Sequence, residues 1–229
     1  MIRAILFDKD GTFTDFRATW EGWVPNAVRR LARDTDVSPE AVADIFGVDL
    51  LADRILPQGR FVTASHDQTV ALLEPLTGWS AHRLADWWDA EVATVQQVTV
   101  TDLPPYLCAL RGRGLTLGVV TNAHRAEALH HLTEMGAMPH LSRIVAADDG
   151  FGPKPAPDGA RDFARALGFD PAEVALVGDG LTDMHAARGA GMIGVGVTTG
   201  TLDAAMLAPH ADHVLPDITA LSGWLDGRI

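Results

Sequence analysis

The sequence predicts an α/β protein: a Rossmann-like, three-layer core on a parallel sheet, with an all-helical cap inserted after the first strand. Three observations carry this. A short, nearly unbroken apolar run at 5–7 suits a strand buried on both faces, and further strands read at 115–121, 142–146, 174–178, 192–197 and 213–215. After residue 100 these runs alternate with helical patterns across short connections, as parallel strands covered by helices do. Residues 16–97 hold no comparable run, so the first strand stands apart from the others.

Taken in order, Ile5-Leu6-Phe7 forms the first strand and ends at Asp8. The insertion reads as helices over 20–33, 38–46, 64–76 and 80–95. Ser38-Pro39-Glu40 places a capping hydroxyl before a proline at the first helical position, and Ser80 caps the last helix in the same way. The later strands are followed by helices over 124–135, 157–167, 183–189, 203–207 and 218–225. The expected division is a core of 1–14 with 98–229, and a cap of 15–97.

Composition narrows the function classes. The 229 residues are 47% hydrophobic and 21% charged, the balance of a folded globular chain. One cysteine, Cys108, excludes an internal disulfide or a thiolate metal cluster. No apolar run reaches the roughly 18 residues of a membrane span, and the first residues do not read as a signal peptide. A net charge of −12 argues against a general nucleic-acid binder, which needs a basic face. The expectation is a cytoplasmic protein without nucleic-acid or membrane partners, monomeric by default, with a homodimer left open. Only two of the 18 cationic residues are lysines, Lys9 and Lys154.

In open parallel sheets, ligands bind beyond the carboxyl ends of the strands. Those ends carry Asp8-Lys9-Asp10-Gly11-Thr12, Thr121-Asn122-Ala123, the 148–155 segment with Lys154, and Asp179-Gly180-Leu181-Thr182-Asp183. Carboxylates gathered in one crevice repel unless a cation sits among them. A hard divalent ion such as Mg²⁺ suits oxygen donors and phosphate. Lys154 and Thr121 suit phosphate oxygens as a point cation and a hydroxyl donor. A carboxylate can also serve as a nucleophile toward phosphorus.

These four segments, DKDGT (8–12), VVTNA (119–123), Lys154 in FGPKPAPDG (151–159) and VGDGLTDMHAARGAG (177–191), occur in order at successive strand ends. They resemble the haloacid dehalogenase-like hydrolase superfamily, and within it the phosphoglycolate phosphatase-like group with an all-helical cap. The resemblance covers the full chain. It implies a Mg²⁺-dependent phosphatase that hydrolyses a small phosphomonoester, phosphoglycolate-like or a sugar phosphate, through an aspartyl-phosphate. It further implies Asp8 as nucleophile and metal ligand, and Asp10 as general acid/base whose backbone carbonyl is a second metal ligand. Thr121, Asn122 and Lys154 would hold the phosphoryl group. Asp179 would bind the metal by its side chain and Asp183 directly or through water. Arg54 and Arg60, in the middle of the cap, are candidates to contact substrate, with His66 and Gln68 nearby in sequence.

Other readings stay open. A β-phosphoglucomutase-like enzyme would keep all four motifs, but the resemblance implies a lysine near its hinge, and residues 15–97 contain none. That absence also removes a Schiff-base phosphonate hydrolase, while Asp10 argues against a dehalogenase. A nucleotide or pyrophosphate hydrolase remains, as does a non-catalytic protein that binds a phosphorylated ligand. Blander expectations attach to other residues. His124, His130 and His131 read as surface histidines. Trp20, Trp23, Trp87 and Trp88 read as cap packing, and Cys108 as a small buried hydrophobe. Lys9 and Phe13 depart from the family pattern, Lys9 at a variable place between the two aspartates.

Overall fold

A computed structural model describes residues 1–229. Two compact units emerge: residues 1–16 with 97–229, and residues 17–96.

The larger unit is built on a six-stranded sheet whose strands lie in the order 143–145, 116–120, 4–7, 174–178, 193–197 and 213–215, with every pairing parallel. The strands are β1 (Ala4–Phe7), β4 (Thr116–Val120), β5 (Arg143–Val145), β6 (Val174–Gly178), β7 (Ile193–Val197) and β8 (His213–Leu215). β1 lies between β4 and β6, and all four of its residues are fully buried. Alternate side chains face two separate cores. Ile5, Phe7, Leu117, Val119, Ala175 and Val177 pack with Leu103, Leu107, Leu110, Leu132 and Trp224. Ala4, Leu6, Val120 and Leu176 pack with Phe163, Ala186 and Ala187. A three-layer core follows from this period of two. Each buried Leu, Ile or Phe contributes roughly 1.5–3 kcal/mol.

The helices covering the sheet are α7 (Leu103–Gly112), α8 (Arg125–Glu134), α9 (Asp158–Leu167), α10 (Leu181–Ala190), α11 (Ala204–Leu207) and α12 (Leu221–Trp224). α7 is not among the helices expected above, although Asp102 stands at its N-cap and prolines occupy its first turn. It also leaves Cys108 exposed rather than buried. At the C-terminal end, a 3-10 turn over Ile218–Ala220 precedes α12 where one helix was expected.

The smaller unit contains most of α1 (Phe16–Trp20), then α2 (Val24–Thr35), α3 (Pro39–Phe46), α4 (Arg60–Thr63), α5 (His66–Thr77) and α6 (Ala81–Val92). The single helix expected over 20–33 is broken at Glu21-Gly22-Trp23, because Pro25 lacks an amide hydrogen and belongs in a first turn. Ser38 and Ser80 cap as predicted, accepting from the amides of Ala41 and Arg83. Ser65 and Gln68 add a reciprocal capping box at α5. The unit is helical as expected, with one addition: a two-residue antiparallel pairing of β2 (Val48–Asp49) and β3 (Arg54–Ile55). Its centre is aromatic. Trp20 lies 5.6 Å from Trp23 and 5.2 Å from Phe61, and Trp88 lies 5.6 Å from Phe46, ring centre to ring centre. No helix of the chain is long and apolar enough to cross a membrane.

Candidate active site

The chain reverses its direction of travel across the sheet at β1, and a crevice at the carboxyl ends of β1, β4 and β6 is the consequence. Asp8 is the first residue beyond β1. Its amide donates to the Val177 carbonyl at 2.8 Å, so the neighbouring strand fixes its backbone. Asp179 follows the last residue of β6 directly, and Asp183 lies in the first turn of α10. The three carboxylates offer donor atoms within 4.8 Å of one another, all from buried residues.

Lys154 comes to them from the loop after β5. Its Nζ lies 2.7 Å from Asp8 Oδ1 and 2.6 Å from Asp183 Oδ1. The loop is held from both sides. The Asn122 side chain accepts from the Lys154 amide at 2.7 Å and donates to the Lys154 carbonyl at 3.0 Å. Arg125 donates to both oxygens of Asp149, which also accepts from the Ala146 amide at 2.9 Å. Asn122, expected on phosphate, has both ends of its side-chain amide spent on the backbone of Lys154 and so holds the loop that carries the lysine. Thr121 is buried at the end of β4, and its hydroxyl oxygen accepts from the Ala123 amide at 3.1 Å. The hydroxyl hydrogen is the part left for a phosphate oxygen.

Electrostatics are unbalanced here. Three carboxylates face one ammonium, which leaves two negative charges in a desolvated place. Burial pushes Asp8 up to about 7, Lys154 pulls the other way, and Asp183 and Asp10 add to the rise. Burial, then Asp8 and Asp183, hold Asp179 well above the usual carboxylate range. Burial alone would lower Lys154, but Asp183 and Asp8 outweigh it and hold the ammonium above its ordinary value. This donor set fits a divalent cation bound by oxygen, whose charge cancels the surplus. Asp183 already spends Oδ1 on Lys154 and Oδ2 on the Gly180 amide at 3.0 Å. Asp8 and Asp179 are accordingly the better direct ligands. Oδ1 of Asp8 accepts from the Lys9 amide at 2.6 Å as well as from Lys154, which leaves Oδ2 as its reactive oxygen.

Two features of the site were not foreseen in the sequence. The first is the segment after β7. A Cβ placed on Gly200 would lie 1.7 Å from Asp179 Oδ2, and one on Gly11 would lie 2.4 Å from the same carboxylate. Gly11 also has a φ of +72°, which favours glycine. The Thr199 hydroxyl donates to the Gly11 carbonyl at 2.6 Å and ties the two glycine segments together. Inspection of the strand end at 197 would have found this threonine and glycine run. The second is a buried group around Lys9. Its Nζ lies 2.8 Å from Asp10 Oδ2, 3.2 Å from Glu127 Oε1 and 2.9 Å from His131 Nδ1. His131 is fully buried, not a surface histidine, because α8 turns it toward the strand layer, whereas His130 on the same helix is exposed in part.

In the other unit, Arg54 lies in β3 with Nε 3.8 Å from Glu21 Oε1, and its side chain is 60% exposed. Arg60 is exposed at the start of α4. His66 is buried beside Trp88, at 5.4 Å ring to ring.

Comparison with known proteins gives a consistent result. The family model for haloacid dehalogenase-like hydrolases matches residues 2–191. A phosphoglycolate phosphatase of Salmonella typhimurium is 30% identical over 207 residues, covering 87% of this chain and 82% of that protein. A phosphoglycolate phosphatase of Neisseria meningitidis is 36% identical over 123 residues, which is 54% of this chain and about half (49%) of that relative. Among solved structures, a Thermotoga maritima protein provisionally assigned as a beta-phosphoglucomutase superposes over the full length of both chains, with a TM-score of 0.69 and 20% identity. At that identity the likeness concerns the fold alone.

Proposed function

The chain belongs to the haloacid dehalogenase-like hydrolases, and from that premise we propose that it is a Mg²⁺-dependent phosphatase acting on a small phosphomonoester, phosphoglycolate-like or a sugar phosphate. The observation that carries this reading is the buried set of Asp8, Asp179 and Asp183 around Lys154, with two negative charges to spare. The similarity to phosphoglycolate phosphatases supports the substrate class.

Asp8 Oδ2 attacks phosphorus, forming a P–O bond to the enzyme as the bond to the substrate alcohol breaks. Asp10, two residues on, gives its proton to the departing alkoxide. Water then attacks the aspartyl-phosphate, its proton returns to Asp10, and the bond to Asp8 breaks to release phosphate. Lys154 compensates phosphoryl charge while holding Asp8 Oδ1, and the Thr121 hydroxyl donates to a phosphoryl oxygen. Mg²⁺, held by Asp8, Asp179 and the Asp10 carbonyl with Asp183 behind, would neutralise charge on the transferring group. Most of the acceleration in this scheme is positioning and charge stabilisation. Arg54 or Arg60 is proposed to meet the rest of the substrate, since an arginine pairs a carboxylate bidentately. The setting proposed is the cytoplasm, with the chain acting on a free metabolite, without nucleic-acid or membrane partners, monomeric by default with a homodimer left open.

The test is a panel of phosphomonoesters, with phosphoglycolate and a hexose phosphate included, assayed with Mg²⁺ and with chelator. Turnover that chelator abolishes, and that Asp8→Asn removes without loss of fold, is expected. Absence of turnover alongside tight binding of phosphorylated ligands would instead favour a binding protein. The Thermotoga likeness gives one reason to test the mutase reading: transfer of the phosphoryl group to a second sugar hydroxyl, rather than to water, would establish it.

A further inference from the structure

Lys9 is fully buried, in a chain whose cations are otherwise arginine except for Lys154. A buried ammonium is tolerable only when its charge and all its protons are matched. Here they are. Its three hydrogens meet three partners: Asp10 through contacts of 2.8 and 3.1 Å to its two oxygens, Glu127 at 3.2 Å, and His131 Nδ1 at 2.9 Å. Glu127 and His131 stand four residues apart on one face of α8, a helix that comes more than a hundred residues later. An ammonium only donates, so His131 Nδ1 must present its lone pair. His131 is therefore neutral, with its proton on Nε2. The imidazole and the Glu127 carboxylate hold the ammonium from behind, and its remaining donor faces Asp10.

We propose that Lys9, anchored by Glu127 and His131, is the positioning residue for Asp10. The inference rests on the reading of Asp10 as the acid and base of a phosphomonoesterase. A carboxyl on a short side chain rotates freely unless something holds it, and a single ammonium touching both oxygens removes that freedom. When Asp10 carries its proton, the ammonium stays on the carbonyl oxygen, which is the better acceptor, and the protonated oxygen is the other one. The same contact thus directs the proton toward the leaving group in the first step. It then leaves the ionised carboxylate in place to receive one from water. A structural role alone does not account for the choice, since an apolar side chain fills such a space at less cost than an ammonium.

The test uses leaving groups. 4-Nitrophenolate departs without a proton, whereas the alkoxide of phosphoglycolate needs one, and kcat/KM reports the step in which the alcohol leaves. For Lys9→Met, kcat/KM on phosphoglycolate is expected to fall about 100-fold, within the range for a displaced proton donor. On 4-nitrophenyl phosphate the fall is expected to stay within about threefold. Lys9→Met/Glu127→Leu, which removes the facing carboxylate too, is expected to melt closer to the wild type and keep the same split. It is the protein to read if the single variant does not fold. Should neither fold, Glu127→Gln, which loosens the anchor alone, is expected to show a smaller loss with the same preference. Equal losses on both substrates, or wild-type values in whichever variant folds, would overturn the proposal. Where the panel of phosphomonoesters gives a better alkyl substrate than phosphoglycolate, that substrate takes its place in the comparison, and a wild-type protein inactive on the whole panel and on 4-nitrophenyl phosphate would overturn the phosphatase reading itself, and this inference with it.

Discussion

Gly200→Ala is the smallest change that separates the proposed metal-holding geometry from the rest of the fold. The added methyl would sit 1.7 Å from Asp179 Oδ2 and 2.4 Å from its Cγ. Non-bonded carbons settle at roughly 3.5–4 Å, so either Asp179 or the 198–201 segment must give by close to 2 Å. Asp179 has little room, because Gly11 also packs against its carboxylate, and the Thr199 hydroxyl fastens the two glycine segments at 2.6 Å. A misplacement of about 1 Å in a catalytic group can cost on the order of 100-fold in rate. Overpacking costs about 1–3 kcal/mol, or a few degrees in melting temperature for a chain of this size. The expected result is a folded protein whose Mg²⁺ activation curve moves to higher concentration and whose kcat falls about 100-fold. Gly223→Ala is the control, since a Cβ there meets nothing within 4 Å. Phosphatase rate against Mg²⁺ concentration, with metal binding by calorimetry on the same samples, makes the measurement. A Gly200→Ala protein with the wild-type activation curve would refute the claim that this glycine sets the position of Asp179.

Two further outcomes follow from the loops that hold Lys154. Asn122→Ala removes the acceptor at 2.7 Å and the donor at 3.0 Å from the Lys154 backbone. It should cost about 1–3 kcal/mol and lower kcat at least tenfold, checked by denaturant midpoint and steady-state rates. Asp149→Asn breaks the pairing with Arg125, whose hydrogen bond is the main reason the Asp149 carboxyl lies below its ordinary 3.8. A carboxyl depressed in the folded state stabilises above its unfolded value, and that contribution disappears as pH falls through the folded one. Arg125 is 41% exposed, so solvent screening limits the effect to about 1 kcal/mol. Urea midpoints of the two proteins should differ near neutral pH and converge below about pH 4, and a constant gap would contradict this origin.

Asp8 and Asp179 were legible as neighbours because each directly follows a strand, Lys154 because it lies in the loop after one, and strand ends are readable from apolar runs. The run tells where the chain emerges, and the parallel topology tells that emerging residues converge. Gly200 obeys the same rule but carries no side chain to attract notice, and its importance lies in a distance of approach that no one-dimensional pattern records. His131 was misread for a related reason. Periodicity on α8 shows which residues share a face, but the partner that makes a polar face buried, Lys9, comes from more than a hundred residues away. Pro25 shows the opposite case, a local signal whose effect on α2 follows from proline chemistry alone and which the broader helical pattern concealed. The β2–β3 pairing, two residues on each side, is too short for alternation to reveal.

The two lysines acquire a common explanation from the geometry. Sixteen of the 18 cations are arginine, and arginine serves where a planar fork meets one carboxylate, as Arg125 does with Asp149 and Arg143 with Asp162. At the two lysine sites the acceptors do not share one plane-edge. Lys154 joins two different carboxylates, Asp8 and Asp183, and Lys9 joins two carboxylates and an imidazole. A tetrahedral ammonium distributes its donors around a point, while a guanidinium presents them along an edge and needs more volume. The restriction of lysine to these positions matches the shape of the two sites: one compact cation between Asp8 and Asp183, and another behind Asp10. The charge balance separates along the same line. The first group keeps two negative charges for a divalent ion. The second, with His131 neutral, keeps a single one, half of what a divalent ion would cancel.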